Sequence, residues 1–407
     1  MKTGGGLFAF APVKTGRGAV RGIGFPDLEA RHAFIQRHRS ALRRFPRSTE
    51  PRPGKNTYGN IQKSGRICYN YNMDEFAPLL AWYDNNKRDL PWRRTRDPYR
   101  VWVSEIMLQQ TRAGAVIPYY ERFFEALPDV SALAACPEER LLKLWEGLGY
   151  YSRARNLKKC AETLVREYGG RFPEDADSLK KLPGIGAYTA GAIASIAFGK
   201  PEPAVDGNVL RILARFRNDG RNVLEAQTAE DCRAFLRAHE LSRAGDLNQA
   251  FMDLGTLICL PKSPQCALCP LRNGCAAEKA GTQDALPYRE KPKPRRKEQL
   301  TVFCLQTDRG LIIRRRPATG LLPGLFEFPH VPGRLTAAEA LAYLSERGLG
   351  PRTELMQYER RHVFTHIEWE MHVVYCRTDD VLFEDCLFYT GEEPLPTAFL
   401  KCLPEKA

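Results

Sequence analysis

Two carboxylates, a glycine turn and four thiols are the groups in this chain whose types and spacing suit chemistry. Glu105 lies in Val101-Trp102-Val103-Ser104-Glu105-Ile106-Met107, so on a helix it flanks an apolar face instead of pointing into water. A carboxyl against aromatic and aliphatic groups has its charged form disfavoured and its pKa raised, which makes Glu105 a candidate proton donor. A glutamate at the edge of a surface helix is the plainer alternative. Asp206, in Ala204-Val205-Asp206-Gly207-Asn208, follows two prolines and precedes the apolar run Val209, Leu210, Ile212, Leu213. Taken alone it reads as a helix N-cap. Upstream, Leu182-Pro183-Gly184-Ile185-Gly186 opens a small-residue helix predicted over 187–198. With no Cβ at Gly184 or Gly186 and a helix N-terminus behind them, the N–H groups there can approach a phosphate closely.

The thiols divide into two sets. Of 12 cysteines, Cys259, Cys266, Cys269 and Cys275 fall in one C-x6-C-x2-C-x5-C loop and the rest stand alone, which suits one metal site and buried free thiols better than a disulfide framework. The spacing has a single C-x2-C pair, unusual for zinc without excluding it, and four thiolates in one compact loop also fit a [4Fe-4S] cluster. Lys262, Arg272 and Lys279 make the loop a positive patch.

Helices must hold these groups. Phe76, Leu79, Leu80, Trp82 and Tyr83 repeat at helical spacing; Asp97-Pro98 then places a cap and a first-turn proline before the helix of Glu105. That helix ends at Leu108-Gln109-Gln110-Thr111. Further helices are expected over 119–126, 137–145, 153–168, 173–182, 209–216, 229–240 and 246–258. Between two of them, Gly147-Leu148-Gly149-Tyr150-Tyr151-Ser152-Arg153 sets paired glycines beside tyrosines and arginine, a loop suited to stacking on a base and gripping phosphate. A helix connection with core tyrosines is an equal reading. The Pro- and Lys/Arg-rich stretch 284–298 is the clearest domain boundary. Beyond it strand-like alternation over 300–307, 310–315, 325–329, 356–364 and 368–377, with a helix over 336–347, indicates a small α+β domain.

Bulk properties bound the function. The chain of 407 residues is long enough for two or three domains, and no apolar run approaches a bilayer span, so a soluble intracellular protein is expected. Its net charge of +13 is misleading, because residues 1–72 hold 14 Lys and Arg against 3 Asp and Glu and so carry 11 of those charges. Any nucleic-acid reading of the rest rests on local motifs. Residues 1–72, rich in Gly, Arg, Pro and Ser, are read as a disordered basic extension. A stretch upstream of a start at Met73 accounts for them more simply than a transit sequence or a basic arm.

Taken together the motifs resemble the helix-hairpin-helix DNA glycosylases over about residues 74–400, and within them the adenine glycosylases of MutY type. The resemblance implies a mainly α, two-lobed helix-hairpin-helix glycosylase domain with an iron-sulfur cluster loop over 73–283, then a smaller α+β Nudix-like domain over 299–407. It implies hydrolysis of the glycosidic bond of adenine opposite 8-oxoguanine or guanine in duplex DNA, by a monomer with no membrane partner, located in the cytoplasm and nucleoid-associated if the source is bacterial. Glu105 falls at the acid that protonates adenine N7, Asp206 at the carboxylate that stabilises the cationic sugar, and Asn208 at its support. Tyr188 takes the position where the lyase relatives carry a Schiff-base lysine, which points away from a bifunctional lyase. Leu108, Gln110 and Tyr150 match the wedge into the base stack; Leu182, Gly184 and Gly186 match the DNA-holding hairpin. Arg88, Arg93 and Gln249 match positions near the extruded adenine, and Phe364, Thr365 and His366 the loop that senses 8-oxoguanine, where many relatives carry serine in place of Thr365. Cys259, Cys266, Cys269 and Cys275 are the implied ligands of a [4Fe-4S] cluster. Segment 330–350 lacks the carboxylate run of a Nudix hydrolase, so that domain is expected to bind without hydrolysing. A bifunctional glycosylase and lyase like endonuclease III, and a non-catalytic damage-binding protein, are the alternatives.

Overall fold

The computed structural model describes residues 75–239, 243–291 and 294–404, so the reading of 1–72 lies outside the described residues. The described residues begin with helix α1 (Ala77–Asn86) and a 3-10 turn (Pro91–Arg93), then α2 (Pro98–Leu108), α3 (Ala113–Ala126), α4 (Val130–Ala135), α5 (Glu138–Leu144) and α6 (Ser152–Tyr168). A short α7 (Ala176–Leu179) leads through the glycine turn to α8 (Ala187–Ile196), followed by α9 (Gly207–Phe216), α10 (Ala226–Arg237), α11 (Ala244–Leu257) and α12 (Ala276–Ala280). None of the described helices is long and apolar enough to cross a membrane.

These helices bury two separate apolar cores, and that makes the domain two-lobed. One core runs from Leu90 to Ala194 and is dominated by Trp102, Phe123 and Trp145. The other joins Phe76, Leu79 and Tyr83 of α1 to Val209, Leu213, Phe251 and Leu254 of α9 and α11, so the first helix returns to the lobe built by the last ones. The sequence separates α1 from α9 by more than a hundred residues, and only the apolar face of Phe76, Leu79 and Tyr83 signals that it needs a partner. The candidate carboxylates lie on either side of the divide, Glu105 on α2 and Asp206 at the start of α9.

The second domain is a mixed seven-stranded sheet. Its strands are β1 (Arg296–Thr307), β2 (Gly310–Arg315), β3 (Phe326–Glu327), β4 (His330–Pro332), β5 (Met356–Val363), β6 (Ile367–Arg377) and β7 (Cys386–Phe388), with helices α13 (Ala337–Ser345) and α14 (Thr397–Leu400). The main order is β3-β2-β1-β6-β5, with β1 and β6 parallel and the other pairs antiparallel. Apolar clusters cover both faces, one under α14 and one under α13. Strand β1 starts at Arg296, inside the stretch 284–298 read as a linker, because Arg296 to Glu298 pair with Ile367 to Trp369 despite their charge. Helix α4 and strands β4 and β7 are too short to give a periodic signal and have no counterpart in the sequence reading.

The sheet domain does not hang free of the helices. Leu325 is fully buried in the first helical core and Leu322 packs beside it. Around this plug Arg155 donates to the Pro323 carbonyl at 2.6 Å, Arg315 pairs with Glu139 at 3.0 Å, and Glu146 accepts from the Leu395 N–H at 2.8 Å.

Candidate active site

Glu105 sits in the last turn of α2, whose start is fixed by Asp97: its carboxylate accepts from the Tyr99 N–H at 2.9 Å ahead of Pro98. The helix is apolar on nearly every side, and Glu105 is only 4% exposed. Burial is the main cause that pushes its pKa up to about 7, with the charge of Asp206 adding to the rise; a hydrogen bond from Tyr188 and the charge of Arg93 pull the other way. Tyr188, in the first turn of α8, donates its hydroxyl to Glu105 Oε2 at 2.5 Å. The phenol itself is raised well above its ordinary value, first by burial and then by the charges of Glu105 and Asp206, so it stays a donor.

Asp206 is indeed the N-cap of α9: Oδ1 accepts from the Asn208 and Val209 N–H groups, each at 2.9 Å. Its second oxygen is taken by the Asn208 amide at 2.8 Å. Asn208 is braced in turn, since its side-chain oxygen accepts from Arg211 Nη2 at 2.9 Å. Arg211 also donates to the Gly255 carbonyl at 2.8 Å and, through Nε, to the Cys259 carbonyl at 2.9 Å. One turn on, Arg215 reaches the same loop, donating to Cys259 Sγ at 3.3 Å and to the Leu260 carbonyl at 2.6 Å. A chain of hydrogen bonds thus runs from the cysteine loop to the Asp206 carboxylate. Helix α11 comes close enough for this only because residue 255 is glycine; a Cβ there would lie 2.7 Å from Asn208 Cβ.

The four cysteines line one cavity with Ile212, Arg215 and Leu254 among the remaining walls. Among the described residues, no three His, Cys, Asp or Glu side chains converge as they would on a single ion. The thiols ring a space, and a donor set of four soft sulfurs with an arginine on one of them suits an iron-sulfur group.

The glycine turn has the expected form. Gly184 has φ +75°, and a Cβ on it would meet Asn156 at 2.6 Å, so the turn is closed by glycine geometry and by contact with α6. Gly186 caps α8 and is exposed, Gly184 is exposed, and Leu182 is buried beneath them. Gln110 and Tyr150 are both exposed, Tyr150 by 47%, and both have positive φ, +58° and +49°. Leu108 ends α2 and packs against the first core. The loop before α6 departs from expectation in one respect: Arg153 does not reach outward for phosphate but is 8% exposed and turned inward onto backbone carbonyls.

Arg88, Arg93 and Gln249 line one cleft of about 570 Å³ with Tyr83, Ser195 and Ile196. Glu105 is not among its walls, and Arg93 is the link, as its charge acts on Glu105. Both arginines converge on Asp253, which is fully buried: Arg88 Nε lies 2.6 Å from Oδ1, and Arg93 binds both oxygens at 2.6 and 2.9 Å. Gln249 Oε1 accepts from Tyr83 at 3.2 Å. Phe364, Thr365 and His366 form the tip between β5 and β6, in the other domain and apart from the carboxylates, with Thr365 and His366 exposed. The tip is set by Phe364, whose ring lies 4.9 Å from Trp369, and by Arg295 donating to the Phe364 carbonyl at 3.0 Å.

Arg211, Arg215 and Asp253 were not legible as site residues, because charged side chains read from sequence as surface; Arg153 was legible only as a phosphate contact, which its inward turn rules out. One signal was present: Arg211 and Arg215 are four apart within Val209-Leu210-Arg211-Ile212-Leu213-Ala214-Arg215-Phe216, so they share a stripe of an otherwise apolar helix, in register with Asn208.

Residues 103–238 match the family described as HhH-GPD superfamily base excision DNA repair protein, and residues 301–404 match the NUDIX domain. Helical lobes meeting at paired carboxylates behind a glycine hairpin, with that match, define the class: a helix-hairpin-helix base excision glycosylase fold joined to a Nudix-like domain. An adenine DNA glycosylase of Homo sapiens is 37% identical over 353 residues, covering 71% of this chain and 64% of that protein. One of Mus musculus is 38% identical, covering 71% and 68%, and one of Buchnera aphidicola subsp. Baizongia pistaciae is 32% identical, covering 72% and 83%. The chain belongs to the adenine DNA glycosylase family.

Proposed function

We propose that this chain removes adenine from mismatches with 8-oxoguanine or guanine in duplex DNA by hydrolysing the glycosidic bond, without cleaving the strand. The observation that carries this reading is the pairing of a buried Glu105, poised at about 7, with an Asp206 whose two oxygens accept from three N–H donors. One group holds a proton near neutrality while the other is arranged as an acceptor, and depurination needs both together.

Adenine first leaves the stack, with Gln110 and Tyr150 filling the gap and the Gly184–Gly186 turn holding the backbone through N–H groups. Glu105 gives its proton to N7, and the C1′–N9 bond breaks with its electron pair going to the purine, which departs neutral. Asp206 stabilises the cationic sugar until water adds at C1′; the water's proton passes to a carboxylate, and Glu105 is ready again once protonated. Tyr188 offers no amine for a Schiff base, so no covalent imine forms at that position. In the second domain, Phe364, Thr365 and His366 would contact the opposing 8-oxoguanine. Cys259, Cys266, Cys269 and Cys275 would hold a [4Fe-4S] cluster, which when bound supplies a rigid centre for the loop that Arg211 and Arg215 grip.

The test is one panel of duplexes carrying adenine opposite 8-oxoguanine, guanine or thymine, read for released base and for borohydride-trapped protein. Adenine release from the first two with no trapped adduct is expected. Strong trapping, or binding with no base released, overturns the reading. A yellow-brown protein with broad visible absorption is expected from the cysteine loop, and a colourless zinc-loaded one contradicts it.

A further inference from the structure

Arg153 is a buried cation whose described partners include no carboxylate. It lies in the first turn of α6, where a helix N-terminus disfavours positive charge, so its placement needs a compensating gain. That gain is five carbonyl oxygens. Nη1 donates to Ile106 O at 2.6 Å, Met107 O at 3.0 Å and Gln109 O at 2.8 Å; Nη2 donates to Leu148 O and Gly149 O, each at 3.1 Å. Ile106 and Met107 belong to the last turn of α2, whose carbonyls have no partner within their own helix, so Arg153 caps α2 from another element.

The other two contacts are more pointed. Gln109 O belongs to the peptide unit joining Gln109 to Gln110, and Gly149 O to the one joining Gly149 to Tyr150. Gln110 and Tyr150 are non-glycine residues in the left-handed region, which L side chains adopt only when their surroundings fix them. One planar, forked guanidinium therefore holds the peptide directly before each of these two exposed side chains. Its stacking geometry adds to the fix, with its carbon 5.4 Å from the Trp145 ring and 5.6 Å from the Tyr150 ring. Trp145 closes the arrangement by donating Nε1–H to the same Gly149 carbonyl at 3.1 Å. Burial lowers the arginine's pKa only to about 10, so it stays charged at neutral pH.

We propose that Arg153 is the positioning residue of the wedge: its fork sets the spacing and direction of Gln110 and Tyr150 so that together they occupy the gap left by the extruded base. This rests on the reading of those two residues as the wedge. Lysine keeps the charge and loses the fork, because an ammonium is a single donor centre and cannot hold both peptide units in one plane.

The full chain carrying Arg153→Lys is compared with wild type in single-turnover adenine release from two duplexes. In one the adenine is stacked normally opposite 8-oxoguanine; in the other it is flanked by abasic-site analogues, so that no neighbouring base stacks on it. Release from the stacked duplex is expected to slow by about 10- to 100-fold, and from the unstacked one by less than about threefold. The fluorescence rise of 2-aminopurine in place of the target adenine should fall with the first rate, while the basic limb of the pH profile stays in place. Equal losses on both duplexes, a shifted basic limb, or no loss on either overturns the proposal. Arg153→Leu serves as the harsher variant, and if it does not fold, the lysine variant alone decides. Wild-type release from the stacked duplex is measured in the same series, so a failure of the glycosylase reading shows as no release by wild type and stays distinct from a failure of the Arg153 assignment.

Discussion

The two carboxylates are treated in opposite ways by the lobes that hold them. The first lobe buries Glu105 on a helix that carries Trp102, Ile106 and other core groups, and allows its carboxyl one described hydrogen bond, from Tyr188. The second gives Asp206 three donors and secures one of them, through Asn208 and Arg211, to the cysteine loop. The same functional group becomes a proton source in a dry site and a fixed acceptor in a wired one. The difference between them lies in the lobes, and no local feature of the side chains would supply it.

The strongest way to break this comparison is to remove either group's chemistry. Glu105→Gln and Asp206→Asn should each slow adenine release on the order of a thousandfold or more while mismatch binding persists, measured by single-turnover release and gel shift. Stability gives a second readout for Glu105. Glu105 keeps its proton to about pH 7 when folded against 4.5 ordinarily, so its contribution is complete below the lower value and is lost as pH rises through the upper one. The loss is at most roughly 3 kcal/mol. Glu105→Gln should therefore raise Tm near about pH 8 and leave it unchanged near about pH 4.

A smaller effect comes from pressing on the brace. Gly255→Ala puts a methyl against Asn208, and should slow release by about 10- to 100-fold without moving the basic limb of the pH profile. Tyr188→Phe acts on the other side of the comparison. It removes the hydrogen bond that favours the charged form of Glu105, so the fall of activity at high pH should move to higher pH while the plateau changes modestly. The smallest effect is expected at the exposed hairpin tip, where Thr365→Ala should reduce the preference for 8-oxoguanine over guanine by about a factor of 10 or less in competition assays, leaving release from guanine mismatches nearly intact.

The burial of Glu105 was readable because its neighbours in the helix are aromatic and aliphatic and because Asp97 and Pro98 announce where the helix starts. Asp206 was harder, since the plain reading is also true: it does cap α9. One oxygen performs the cap and the other receives Asn208, a division of labour that spacing alone does not reveal. Most boundaries of the larger helices and strands followed from periodicity, but α3 starts at Ala113, ahead of the expected 119, because it runs through Pro118 and its first turns are small residues that carry no period, and the two lobes were implied by the family resemblance alone. The inward turn of Arg153 was not readable, because its acceptors are carbonyls, which every residue carries and no sequence pattern marks. The convergence of Arg88 and Arg93 on Asp253 joins positions 160 or more residues apart, a distance over which periodicity carries no information.

The plug of Leu325 into the helical core separates two ideas that the sequence merges, modularity of the gene and modularity of the molecule. The stretch 284–298 looks like a place to cut, and a helical fragment ending there would contain every candidate for base removal. That fragment would also keep the socket for Leu325 and would leave Arg155, Glu139 and Glu146 without Pro323, Arg315 and Leu395, so it would behave as a lid removed from its jar: adhesive where the sheet domain had been. A protease that nicks the full-length chain in the same stretch should leave the two pieces travelling together.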